Sequence, residues 1–189
     1  MRNVLLAVFL LLSAYVQAIP SGYSFYKKLT TQENQITVGT TNSSGFPVLV
    51  KITDPDLRSV NNGGRVRSAN GYDIVFTAGD KNTLIPFQVE GYDATTGEYV
   101  AWVKLPVLSA TVNTDFYMFF GNASIATTLG SKTTWDANYK AVYHLNTDVA
   151  DWTSNAASLT NSGTTNFSPG IAADGQRVGS GTYLSRNVA

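Results

Sequence analysis

The sequence predicts an all-β protein, an antiparallel β-sandwich of jelly-roll-like build, and three observations predict it. Runs of β-branched and aromatic residues recur at intervals of roughly ten to twenty residues, with Gly, Asn, Asp and Pro between them, as sandwich strands do. No helical period appears after residue 18. Only 14% of the residues are charged, so the polar positions fall to Ser, Thr, Asn and Gly, which suits an exported β-protein. The 13 acidic and 13 basic residues balance, which argues against nucleic acid as a partner. With no Cys, the core and not disulfides must hold the fold, and thiolate catalysis and Cys-rich zinc sites are excluded.

Residues 1–18 read as a cleaved export signal. Arg2 supplies the positive start, residues 4–12 (VLLAVFLLL) the apolar core, and Val16-Gln17-Ala18 the site of cutting, so the mature chain is expected to begin at Ile19. The apolar run is shorter than the roughly 20 residues a spanning helix needs, so no transmembrane segment is expected in the mature chain. The chain is therefore expected to be secreted or held at the cell surface.

The first mature strand is expected over residues 23–29 (YSFYKKL), a short one over 35–38, and a strongly β-branched one over 46–52 (FPVLVKI). Residues 56–71 are polar and rich in Asn and Gly, hence a loop or an irregular helical turn. Further strands are expected over 72–77 (YDIVFT) and 84–92 (LIPFQVEGY), each followed by a turn. The stretch that organises the rest is 98–124. There Val100, Trp102 and Lys104 alternate with Tyr99, Ala101, Val103 and Leu105, and a second aromatic run, 116–120 (FYMFF), ends at Gly121-Asn122. These two strands are expected as neighbours at the centre of one sheet. A last alternating strand is expected over 140–145 (KAVYHL), adding to the sandwich edge. Residues 146–181 hold few apolar anchors among many Ser, Thr, Asn and Gly, too few to offset about 1–2 kcal/mol of backbone entropy per residue.

Several segments in succession carry a family likeness: residues 26–29, 46–51, 71–77, Ile85-Pro86-Phe87, Glu90-Gly91-Tyr92-Asp93, 101–106, 116–122 and Trp135-Asp136. In that order they resemble the family catalogued as domain of unknown function 2341, found in exported bacterial proteins, over roughly residues 23–136. The resemblance implies an exported β-sandwich and carries no established activity. Members are often followed by a concanavalin-A-like, laminin-G-like lectin domain. The start of one resembles 139–146, with Asp151-Trp152-Thr153-Ser154-Asn155 where a short Asp-Ser-Gly-Asn-type turn is usual. The expected organisation is therefore a signal over 1–18, a β-sandwich over 19–136 and an incomplete, partly disordered lectin-like β-sandwich over 137–189.

No catalytic apparatus is visible, and the chain is not expected to be an enzyme. His144, the only His, sits among apolar neighbours, and no Gly-x-Ser-x-Gly or phosphate-binding loop occurs. Asp73, Glu90, Asp80 and Asp93 are the carboxylates from which a glycosidase pair could be drawn, but turn aspartates mostly shape their own loops. Asp54, Asp56, Asn61 and Asn62 form an oxygen-rich loop that would suit calcium, without the EF-hand spacing. For a ligand, Tyr72, Tyr92, Asp93 and Tyr99 stand at strand ends and turns. Trp102 is a sugar-stacking platform if exposed and a core residue if not, and the core is favoured. The expected function is a module for surface adhesion or glycan binding, with surface glycans or other surface proteins as partners. The alternatives are an accessory domain of a carbohydrate-active surface enzyme and a structural spacer.

Overall fold

The computed structural model describes residues 20–36, 41–146, 148–167, 170 and 173–186. The export signal expected over residues 1–18 and the expected cut before Ile19 lie outside them. The named strands all pair antiparallel. Six of them form two three-stranded sheets. β1 (Phe25–Thr30), β6 (Asp115–Phe120) and β3 (Val75–Thr77) form one, in the order β1-β6-β3. β2 (Ser43–Thr53), β5 (Glu98–Leu108) and β4 (Phe87–Asp93) form the other, in the order β2-β5-β4. No helix among the described residues is long and apolar enough to cross a membrane.

β5 and β6 are not neighbours, as the sequence had suggested; each is the centre of its own sheet. Both faces of β6 explain this. Phe116, Met118 and Phe120 face the core, while Phe119, on the opposite face, is fully buried beside Tyr23 and Tyr26. A strand covered on both faces belongs in the middle of a sheet, and pairing β5 with β6 would leave fewer places for β1 and β3. The connection between them is folded on itself: Ser109 Oγ accepts from the amides of Thr111 and Val112, and Thr114 Oγ1 accepts from that of Ser109.

The two sheets bury Tyr99, Ala101, Val103 and Leu105 of β5 against β3 and β6. Phe76 is the hub, with its ring 5.3 Å from Phe87, 6.2 Å from Tyr99 and 6.5 Å from Phe116. Only Val75–Thr77 of the strand expected over 72–77 joins a ladder. The preceding turn is set by Asp73, whose buried carboxylate accepts from the amides of Arg67 (2.8 Å), Ser68 (2.8 Å), Gly121 (3.0 Å) and Asn122 (3.2 Å). One side chain thus ties the long loop to the end of β6. Near residue 35 the sequence suggested a strand, but Glu33–Gln35 is a single 3-10 turn, and 37–40 lie outside the described residues.

Residues 140–145 form no strand and add to no sheet edge. They cross the outer face of the β2-β5-β4 sheet, where Val142 O accepts from the amide of Trp152 (2.9 Å). Beyond them β7 (Thr160–Ser162) pairs with β10 (Tyr183–Ser185), and β8 (Thr165–Phe167) with β9 (Gly175–Arg177).

Candidate functional site

The site grows from an irregularity in β4. Its register against β5 shifts between Val89 and Gly91, so Glu90 is an extra residue. Gln88 points away from the core, as does Trp102 opposite it, and the bulge leaves Glu90 on that same outer face. After the bulge Tyr92 again stands opposite Tyr99, at the rim of the core. Glycine inside a strand marks such a bulge, so Gly91 was the readable trace of it.

Over this outer face lies the segment after β6. Trp135, 7% exposed, packs against Trp102 (5.5 Å), Tyr139 (5.0 Å) and His144 (6.3 Å), and His144 lies 5.8 Å from Trp152. Trp102 is therefore neither a core residue nor an open platform. The core faces of β5 are taken by its odd-numbered residues, and an aromatic layer covers the face where Trp102 stands.

Polar groups inside this layer are matched with two exceptions, both N–H donors. Glu90 Oε2 accepts from Trp102 Nε1 at 2.6 Å and lies 3.3 Å from His144 Nδ1, with the two ionisable side chains only 8% and 4% exposed. Burial pushes the Glu90 carboxyl up, but the hydrogen bonds from His144 and Trp102, with the Lys51 charge nearby, outweigh it and hold it below its ordinary value. Gln88 Oε1 accepts from Trp135 Nε1 (2.5 Å) and faces His144 Nε2 (2.9 Å). Because an indole N–H can only donate, the Gln88 oxygen must face Trp135, which makes Gln88 Nε2 a donor. That nitrogen is buried without a partner, and so is Trp152 Nε1. Each such orphan costs about 1–3 kcal/mol.

Beside the layer runs an open groove of about 610 Å³, walled by Tyr72, Glu90, Tyr92, Asp93, Glu98 and Asn146 among others. A second, more apolar pocket of about 190 Å³ shares Asn70, Tyr72 and Val89 with it and reaches Gln88, Lys132 and Trp152. Tyr92 is fixed in the groove wall by its hydroxyl, which donates to Leu57 O at 2.8 Å, and by Gly71, on which its ring rests. At Gly71, φ is +70° and an added Cβ would come within 2.9 Å of the Tyr92 ring, so only glycine fits there.

Of the sequence-derived ligand residues, Tyr72, Tyr92 and Asp93 thus come together in one groove. Tyr99 does not join them: its side chain is fully buried in the core and presents no face to solvent. Asp93 lines the groove but also accepts from the Thr95 amide (2.7 Å) and the Thr96 amide (3.3 Å), which holds its carboxyl below the ordinary value. In the loop proposed for calcium, Asp54 and Asp56 meet cations already. Lys27 Nζ lies 2.7 Å from Asp54 and 3.3 Å from Asp56, and Arg65 Nε lies 2.9 Å from Asp56. Asn62 donates to Ser59 Oγ and Ala94 O, and Asn61 is exposed. No group of three or more His, Asp or Glu side chains that could hold a metal occurs among the described residues. Gln88, Trp135 and Asn146 escaped the sequence reading, because their roles depend on a layer folded back onto a strand some fifty residues earlier (|i−j| of 47 for Trp135 with Gln88).

Asp151 organises that layer. Its buried carboxylate accepts from the amides of Val142 (3.0 Å), Thr153 (2.9 Å) and Ala157 (2.8 Å) and from the Thr153 hydroxyl (2.9 Å). Burial raises its pKa, but these donors prevail and bring it down from 3.8 to about 2. A depressed folded-state pKa stabilises the fold above the unfolded value and loses that contribution as pH falls through the folded one. The layer is therefore expected to loosen between pH about 4 and about 2, read as a change in tryptophan fluorescence, and Asp151→Asn should remove most of that acid transition. An unchanged transition in the variant would mean that other carboxylates control it.

No curated protein and no solved structure matches the chain. The bulge, both central strands, Asp151 and the groove residues Tyr72, Glu90, Tyr92, Asp93 and Asn146 fall within residues 70–155, the part of the chain that matches the family model described as Domain of unknown function (DUF2341), while Ala69, Ala173 and Asp174 of the groove lie outside it.

Proposed function

We propose that the chain is an exported, non-enzymatic β-sandwich module that binds glycan at the cell surface, and that the groove beside β4 is where it does so. The observation that carries this reading is the convergence of Tyr72, Tyr92 and Asp93, with Glu90 and Asn146, on one open groove. Aromatic faces suit the apolar face of a sugar ring, and carboxylates and amides suit its hydroxyls. Non-enzymatic action is supported by the state of the carboxylates. Glu90 and Asp93 are engaged by their own hydrogen bonds, Glu90 with Trp102 and Asp93 with the Thr95 and Thr96 amides, whereas a glycosidase pair must be free to flank the scissile bond.

A glycan array probed with the exported chain tests the reading. Binding to a defined set of glycans is expected, and Tyr72→Ala should weaken it about tenfold, equivalent to about 1.4 kcal/mol. No glycan retained above background, or full retention by the Tyr72→Ala protein, would contradict it.

A further inference from the structure

The apolar pocket next to the groove has a chemistry of its own. Gln88, only 2% exposed, borders it with an Nε2 that neither protein nor solvent satisfies, and Trp152 borders it with an unpartnered Nε1. The other two indole N–H groups of the chain are taken, Trp102 by Glu90 and Trp135 by Gln88. Both orphan atoms are donors, so what they lack is an acceptor. A hydroxyl would bring a proton in search of its own acceptor. Lys132, the cation in the pocket lining, already donates to Asp151 O, and a carboxylate would have to pass Glu90, Asp93, Glu98 and Asp174, which line the adjoining groove. A neutral group combining a carbonyl oxygen with a small apolar end meets both conditions, since Val89, Tyr72 and the Trp152 ring supply the apolar part of a lining that also holds Asn70, Thr128, Ser131 and Lys132.

Resting on the glycan reading of the groove, we propose that this pocket takes the acylamino group of an N-acetylated amino sugar whose ring lies in the groove against Tyr72. The carbonyl oxygen is offered to the unpartnered N–H groups of Gln88 and Trp152, and the methyl lies among the apolar lining. Tyr72 lines both spaces, so a single residue can hold the ring while its acetamido arm turns inward. The ring hydroxyls then face the groove carboxylates, which accept from them.

The test is nuclear magnetic resonance and calorimetry on the unaltered chain with three β-1,4-linked trimers, of N-acetylglucosamine, of glucose and of glucosamine. The acetylated trimer is expected to bind at least tenfold more tightly than the glucose trimer and to shift the indole N–H resonance of Trp152. Trp152→Phe, which deletes the N–H and keeps a ring, should assign that resonance and remove most of the acetyl preference. Equal binding of acetylated and glucose trimers, with the Trp152 resonance unmoved, would overturn the acylamino site and leave the glycan reading standing. Tighter binding of the cationic glucosamine trimer would show that the carboxylates select charge, and would overturn it equally. Binding of none of the three would overturn this proposal, while the array decides the broader reading by itself. Because all three indole N–H resonances are read in the unaltered chain, a shift of none of them overturns the acylamino site even where the variant folds poorly.

Discussion

Asp73→Ala is expected to destabilise the protein by roughly 3–5 kcal/mol, the range found when one partner of a buried, hydrogen-bonded charge is removed. The residue is fully buried, and its loss strands the amides of Arg67, Ser68, Gly121 and Asn122 at once. These donors are adjacent and their costs do not add, which is why the expected figure is well short of four times a single orphan. Asn at this position should cost clearly less. Oδ2 accepts three of the four bonds, so an amide oxygen in its place keeps most of them and only the Ser68 amide faces an NH₂. Denaturant midpoints of the two variants, with the slope checked for constancy, measure this. If Ala and Asn cost the same, the carboxylate is not what fastens the long loop to β6.

Trp135→Ala is expected to be of similar size, roughly 3–5 kcal/mol for a large aromatic removed from a packed site. Its consequence is more local. Trp135 touches Trp102, Tyr139 and His144 and holds the Gln88 oxygen, so its removal frees the layer from the sheet while the sandwich core keeps its own contacts. Unfolding should then split into an early loss of the layer and a later loss of the sandwich, followed separately by Trp152 fluorescence and by far-ultraviolet circular dichroism. Trp135→Phe should restore most of the packing and leave a deficit of about 1 kcal/mol for the missing hydrogen bond. A single transition at the original midpoint for the Ala protein would show that Trp135 fastens nothing.

The fold class was legible because strand periodicity and turn chemistry are local. The alternation along 98–105 correctly separates Tyr99, Ala101, Val103 and Leu105, which face the core, from Val100, Trp102 and Lys104. What the alternation cannot say is which face lies inward and what covers the other. Trp102 looked like core for that reason, although Trp135 covers it from outside. The pairing of β5 with β6 was misjudged on the same grounds. Nearness in sequence favours hairpins, whereas burial of both faces of β6 places it at the centre of a different sheet. Part of the site was readable, since Tyr72, Tyr92 and Asp93 fall at the ends of elements on one side of the molecule. Its deeper half was not readable. It depends on the Glu90 bulge and on Asp151, which orders a segment poor in apolar residues by collecting backbone donors. Composition counted the missing hydrophobic anchors there and could not see the hydrogen bonds that replace them.

The groove and the pocket beside it exist only if residues 132–157 form a layer of the same domain as β4 and β5. Amide hydrogen exchange on the unaltered chain tests this most directly. The amide of Val142 donates to the Asp151 carboxylate, that of Trp152 to Val142 O, and that of Thr153 to Asp151 again. These three should exchange slowly, in the range of the amides of β5, and should lose protection together when Trp135 is replaced. Exchange at the rate of an unstructured peptide, with β5 still protected, would mean that the segment does not sit on the sheet. Gln88, Glu90 and Trp102 would then face solvent, and neither the groove nor the pocket beside it would exist as described.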